Sequence, residues 1–430
     1  MRYLKFGKMK KVIELKYLVF GLVVLTFLVS CSQKNVQPEF SFRHHYINNN
    51  LPTGWVNGVQ SLADYDNDGD LDMTVGSKHR GLFLFINNGT SWDTITIGRV
   101  PFTSLATASM DVDDDGMIDL ISAGVWYKNE GKHNFSMYFY DPDFIQGEKP
   151  EKPLTIHDMV VADINGDGKN DVVAESEDAG FFWYSTNPLP SELWKRTVID
   201  PDHTKYKPTI HGGFSPGGIG DLDGDGDLDI FNAVAWFENQ NKGKNWVKHP
   251  MEFPELFGGD LPYGKSTRSV VIDSDGDGDN DIIFSECDDI HAKIGIIENV
   301  NGDGTEWELN LFPLKAEGKR CSLHSLGVAD FNNDGFLDVI TVDQEDMMPK
   351  DTTLHPPRWY VFSNVGNGWE EQVLFDIGLG GHDIISGDVD GDGDLDLVSK
   401  VWNPWKKSAN KGRSHADFIE NLTVDKVLTK

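Results

Sequence analysis

The sequence predicts an all-β fold, a seven-bladed β-propeller with an aspartate-rich, calcium-binding loop in every blade. Three observations carry this. A nine-residue acidic pattern occurs seven times, its spacing fits one four-stranded sheet per occurrence, and a strand missing from the last repeat stands at the start of the chain.

The pattern is D-x-[DN]-x-D-G-x-x-D. It reads DYDNDGDLD from Asp64, DVDDDGMID from Asp111, DINGDGKND from Asp163, DLDGDGDLD from Asp221, DSDGDGDND from Asp273, DFNNDGFLD from Asp330 and DVDGDGDLD from Asp388, at intervals of 47, 52, 58, 52, 57 and 58 residues. An apolar stretch enters each loop, as at 159–162 and 326–329, and a β-branched stretch leaves it, as at 172–174 and 339–342. A third, aromatic strand follows at 82–86, 181–184, 236–238 and 359–362, and a fourth closes the unit at 92–97 and 194–199. The last repeat ends one strand short at 416–421, whereas residues 40–47 form an orphan strand. Residues 40–47 are therefore expected to complete blade seven and close the ring, which removes the exposed sheet edges. The propeller spans 40–422 and leaves 423–430 as a tail.

Carboxylates at positions 1, 3, 5 and 9, with glycine at 6 for the sharp turn, surround a hard cation with oxygens and suit calcium better than magnesium. The expected ligands are Asp64, Asp66, Asp68 and Asp72; Asp111, Asp113, Asp115 and Asp119; Asp163, Asn165, Asp167 and Asp171; Asp221, Asp223, Asp225 and Asp229; Asp273, Asp275, Asp277 and Asp281; Asp330, Asn332, Asp334 and Asp338; and Asp388, Asp390, Asp392 and Asp396. The loops hold 31 aspartates, equal in size to the whole formal charge of -31. Seven structural calcium ions would bring that charge to -17. An acidic surface of this kind argues against nucleic acid as a partner.

The N-terminus carries an address. Lys5, Lys8, Lys10, Lys11 and Lys16 precede an apolar run at 17–29, too short for an ordinary span and suited to a signal sequence. It ends in Leu28-Val29-Ser30-Cys31, which resembles the bacterial lipobox and implies lipidation of Cys31. Residues 1–30 are then a signal peptide and 31–39 a tether, and the protein is expected as a monomer anchored in a bacterial outer membrane by lipid alone. Cys287 and Cys321 remain, so no disulfide framework holds the fold. They fall on adjacent blades, where a single bridge is open to test.

Function is expected on the face opposite the calcium loops, where first strands begin and second strands end. Six residues before each first aspartate stand Gly58, Leu105, His157, Ser215, Thr267, His324 and His382. Three histidines fall among seven equivalent places, with His211 and Arg268 nearby. The second-strand exits bring Glu175, Glu286, Asp343 and Lys400, followed by Asp178, Asp288, His291, Glu345 and Trp402. A histidine at a strand start is often a hydrogen-bonded core residue. A ring of His157, His211, His324, His382, Arg268, Lys400, Glu175 and Glu286 instead points to acid–base chemistry, or to a further divalent metal in the funnel. Trp126, Tyr127, Trp183 and Trp236 read as blade core, whereas Trp402-Asn403-Pro404-Trp405 lies in a loop and could stack on a sugar. No P-loop or dinucleotide fingerprint is present.

The seven loops and their spacing resemble the VCBS/FG-GAP propellers over 40–422. That resemblance implies a propeller similar to sugar dehydratases and to the lipid-anchored oligosaccharide dehydratases and lyases of ulvan utilisation. It implies a carbon–oxygen lyase acting on an anionic, uronate-containing oligosaccharide. The alternative is a non-catalytic, calcium-dependent glycan-binding or adhesion propeller. A scaffold for protein contacts is a third reading, which needs an exposed apolar patch.

Overall fold

Each aspartate loop turns one strand back onto the next, and seven repetitions of that turn generate the architecture. The structure is a computed structural model that describes residues 39–51, 59–77, 81–98, 106–141, 143, 156–259, 261–320, 322–345, 353–366 and 368–424. The chain divides into Met1–Glu39 and Phe40–Lys430. The signal peptide, Cys31 and all of the tether but Glu39 lie outside the described residues, as do Gly58, Leu105 and Cys321. No helix among the described residues is long and apolar enough to cross a membrane.

The second unit is a seven-bladed β-propeller of antiparallel four-stranded sheets, with almost no helix. Blade three shows the plan: Asp158–Ala162, Asp171–Ser176, Gly180–Ser185 and Lys195–Asp200 pair in sequence order. Second strands such as Asp171–Ser176 and Asp281–Glu286 are buried along their whole length, which explains their continuous β-branched and apolar sequence. Fourth strands such as Trp92–Gly98 alternate half-buried and exposed residues at the rim. The N-terminal strand closes blade seven as expected. It runs Phe42–Leu51, longer than 40–47, and pairs antiparallel with Ser414–Asn421. Thr423, placed in the tail by sequence, is buried and accepts the Ser41 N–H at 3.0 Å.

The core lies between blades rather than in the channel. Seven apolar clusters occupy the seven interfaces, from Tyr65, Leu84 and Tyr127 between blades one and two to Met73, Phe85 and Val398 between blades seven and one. A fully buried side chain of this size contributes about 1.5–3 kcal/mol, so each interface is a substantial term that needs both neighbours.

A polar lock crosses five of these interfaces. The ninth loop residue is a buried aspartate whose Oδ2 accepts the N–H of the second loop residue, as from Leu222 to Asp229 at 2.9 Å. Its Oδ1 accepts an asparagine N–H at the end of the third strand, from Asn239 at 2.8 Å. The Asn239 side chain then donates to the Ile164 carbonyl of the preceding blade at 2.9 Å. The same three bonds recur through Asn87, Asn129, Asn299 and Asn421, the last two reaching Leu222 and Phe331. The first loop aspartate accepts backbone N–H groups of the turn, and the glycine at position six adopts φ between 86° and 100° in all seven loops. Only glycine takes that conformation without strain.

Asn239→Ala deletes a fully buried donor and leaves the Ile164 carbonyl unpaired, so it is expected to destabilise the fold by about 1–3 kcal/mol. Calorimetric melting checks this against Asn310→Ala on the exposed fourth strand, expected within about 0.5 kcal/mol of the parent.

Candidate functional site

The pairing that aligns first and second strands also fixes the funnel residues. Asp158 faces Glu175, Thr267 faces Glu286 and Asp383 faces Lys400 across their strand pairs. One residue upstream, the His157 and His382 N–H groups donate to the Glu175 and Lys400 carbonyls, both at 2.8 Å. The imidazoles are therefore held by continued sheet pairing.

Arg268 lies at the centre. Its guanidinium donates to Asp158 Oδ1 of blade three at 3.3 Å and to Asp383 Oδ1 of blade seven, and stands 3.3 Å from His324 Nδ1 of blade six. A single side chain from blade five thus crosses the channel and ties three other blades. Asp158 is further fixed by N–H groups of Gly213, Phe214 and Ser215 at 2.9, 3.1 and 3.1 Å, which bring in blade four. Lys400 Nζ lies 3.0 Å from Asp383 Oδ2 and 3.4 Å from His382 Nδ1. Below this latch the first strands line a cavity of about 350 Å³ that His157, Arg268 and Asp383 close at one end.

The rings form an arc. His211 lies 4.2 Å from His157, His157 lies 6.1 Å from His324, and His324 stacks on His382 at 3.9 Å between centroids. Tyr263 extends the arc beyond His211 at 5.6 Å, and Trp402 stacks on His382 at 4.7 Å. The structure therefore brings His157, His211, His324, His382, Arg268 and Lys400 into one cluster. Glu175 borders it, with one oxygen 2.8 Å from His203 Nε2. Glu286 does not join: its carboxylate accepts the Lys293 N–H of its own blade and the Phe257 N–H of the segment that leads in from blade four. Glu345 similarly accepts the Gly380 and Trp405 N–H groups, and Asp343 holds Arg358 N–H and Tyr360. Cys287 is buried beside the Leu323 carbonyl, and a bridge to Cys321 falls outside the described residues.

Burial and charge set the protonation states. Burial pushes His382 down to about 3, with Lys400 and Arg268 helping and Asp383 opposing. His324 is likewise held well below its ordinary value by burial, by His382 and by Arg268. Both are neutral at pH 7. Burial also opposes ionisation of Asp158 and Asp383, but His157 and Arg268 outweigh it for the first, and Arg268, Lys400 and His382 for the second, so both stay anionic. His211 moves the other way, because its hydrogen bond to Glu177 overcomes burial and raises it.

Two metal sites were expected from the sequence. In the funnel, donor atoms of His324, His382 and Asp383, and of His157, Asp158 and Glu175, lie within 4.8 Å of one another. Asp158 and Asp383 already serve Arg268 and Lys400, so a divalent ion beside them would compete with two resident cations, whereas Glu175 gives one oxygen to His203 and keeps the other buried without a hydrogen bond. The loops do fit. Donor oxygens of Asp221, Asp223 and Asp225 converge within 4.8 Å, and buried oxygens of Asp66, Asp334 and Asp388 take no hydrogen bond. Burial raises the ninth-position Asp72 to about 7 and Asp229 to about 8, against the pull of their backbone N–H partners. A cation bound beside them would supply the missing counter-charge.

Asp158 and Asp383 escaped the sequence reading although the signal was present: His157-Asp158 and His382-Asp383 are the same doublet at the same place in two blades. Glu177 and Tyr263 had no such marker. Tyr263 meets His211 because Ile210–Gly212 runs parallel to Lys265–Ile272 of blade five, a pairing outside the four-strand repeat, and Glu177 reaches it from the end of the second strand of blade three.

His382 contributes to stability in a direction set by its shift. As pH falls below its unfolded value of 6.5, the unfolded chain takes up a proton that the folded chain refuses until about 3, so stability is present above 6.5 and declines below it. In calcium-loaded protein, His382→Gln is expected to shallow the decline between pH 6.5 and 4.5 by up to about 1.4 kcal/mol per pH unit, read by denaturant melts at each pH. Equal slopes would contradict the assignment.

A family model described as FG-GAP-like repeat matches residues 111–174 and 330–399. Each match starts at an aspartate loop and ends in the second strand of the next blade. No curated protein sequence matches the chain. The crystal structure of BBS1N in complex with ARL6DN, soaked with mercury, superposes with a TM-score of 0.52 at 10% identity, covering 90% of this chain and 98% of that one. The same complex soaked with lead gives 0.49 at 11% identity, covering 86% and 93%. At such identity the first likeness is one of fold alone, and with the repeat match it describes the chain as a seven-bladed β-propeller carrying FG-GAP-like repeats.

Proposed function

We propose that the funnel is the active site of a carbon–oxygen lyase that acts on a uronate-containing oligosaccharide. The observation that carries this reading is the stacked, neutral pair His324 and His382 beside the cations Arg268 and Lys400. Neutral imidazole is the form that accepts a proton, and an entering carboxylate would oppose the cations that now depress it, raising its basicity. One imidazole takes the proton next to the sugar carboxylate, and Arg268 or Lys400 meets the charge that develops on the carboxylate oxygens. The C–H electron pair forms the new double bond as the β C–O bond breaks. The departing oxygen takes its proton from His211, whose imidazolium Glu177 favours. Water or a sugar alcohol leaves.

A second reading, glycan binding without chemistry, draws on Trp402 and Trp405 at the rim, with Lys400 and Lys407 over their rings. In both readings calcium in the loops is structural, and Cys31 carries a lipid that places the propeller at the outer membrane.

Incubation of calcium-loaded protein with a panel of uronate oligosaccharides is expected to produce the ultraviolet absorbance of an unsaturated uronate. His324→Gln and His382→Gln should each cut turnover by at least about 100-fold while oligosaccharide binding, measured calorimetrically, persists. Binding by the parent with no absorbance change would favour the glycan-binding propeller.

Cys31→Ala is expected to abolish acylation and move the protein out of the detergent phase. An acylated, membrane-bound variant would remove the anchor reading.

A further inference from the structure

One strand position controls the charge beside every aspartate loop. It is the third-strand residue just before the place of the locking asparagine, and in chain order it holds Ile86, Lys128, Ser185, Glu238, Glu298, Ser363 and Glu420. Three blades place a carboxylate there, three a neutral group, and blade two alone a cation. The Lys128 ammonium donates to Asp113 Oδ2 and Asp115 Oδ2, the third and fifth positions of its own loop. Its side chain is only 14% exposed, and that of Asp113 16%, so the pair is not an ordinary surface contact.

We propose that the loop of blade two takes no calcium, because Lys128 supplies its cation from within the chain. The inference rests on the calcium reading of the other loops and departs from it at one blade. Asp111, Asp113 and Asp115 converge as in the other loops, but the two side chains that would face the ion each give an oxygen to the ammonium. The two oxygens of Asp111 accept the Asp115 and Gly116 N–H groups, and the single buried oxygen left unbonded on Asp113 is too little to hold a divalent ion. A divalent ion would also stand within a few ångströms of a fixed ammonium, a like-charge contact that no other lysine imposes on its own loop among the described residues. Lys169 of blade three adds a second ammonium 2.9 Å from Asp114, although that pair is exposed and weak. Blade two therefore keeps the shape of a calcium loop with a covalently supplied counter-ion.

Native mass spectrometry of calcium-saturated protein tests this by counting ions. Lys128→Ser copies blades three and six, and Lys128→Glu copies blades four, five and seven; at least one is expected to bind one ion more than the parent. In the reciprocal arm, Asp113→Asn in the parent is expected to leave the count unchanged, whereas Asp223→Asn in blade four lowers it by one. An Asp113→Asn protein that loses an ion, or two folded Lys128 variants with the parent's count, would overturn the proposal. Absence of calcium from every protein would overturn the calcium reading of all the loops, and the role of Lys128 with it. The folded state of each variant is checked by its melting transition, and the Asp113 arm decides the matter if both Lys128 variants unfold.

Discussion

A buried carboxylate at the ninth loop position is the constraint on which the rest of the propeller depends. It takes one N–H from its own loop and another from the third strand, so it fixes where the first strand ends and the second begins. The asparagine that supplies the second N–H reaches across to the preceding blade. Removal of either partner leaves a buried polar group unpaired, which costs more than the bond itself contributes. Blade geometry and ring closure are thus written into one residue pair, repeated around the axis, while the seven apolar clusters add the bulk of the stabilisation.

This explains why the fold was legible in the sequence and the site only in part. The lock demands aspartate at a fixed distance from glycine, so the repeat stands out at every occurrence, and the unpaired strand at the N-terminus follows by subtraction from a four-strand blade. Three funnel imidazoles, His157, His324 and His382, were legible for the same reason, since each lies six residues before its loop. Arg268 was visible as a residue but not as a latch, because its partners Asp158 and Asp383 come from blades far apart in the chain. Glu286 had the expected strand position, yet two separate segments, at Phe257 and Lys293, each present a backbone N–H group to it, and no spacing reports that. His211 joins through a short parallel pairing that breaks the repeat, where counting offsets has no purchase.

The two ends of the first strands carry opposite electrostatic problems. At the loop end, carboxylates crowd together, and in blade two the Lys128 ammonium stands among them. At the funnel end, charge is balanced within the chain: Arg268 and Lys400 meet Asp158 and Asp383, and the histidines between them stay neutral. Self-compensation permits deep burial of ionic groups, because each loses water but gains a fixed partner.

Because the same short strand joins both ends, loop and funnel are mechanically one element. Asp158–Ala162 runs from the Arg268 latch directly into the loop at Asp163, and Asp383–Gly387 does so into the loop at Asp388. All five residues of each strand pair with the second strand of the same blade, which makes the strand a stiff link. Repulsion that opens a cation-free loop would therefore shift the carboxylates that hold Arg268, and through them the spacing of the imidazoles. A structural ion at one face can set the precision of acid–base geometry at the other without touching it. Such coupling needs no conformational switch, only strands stiff enough to make the loop and the latch share one position.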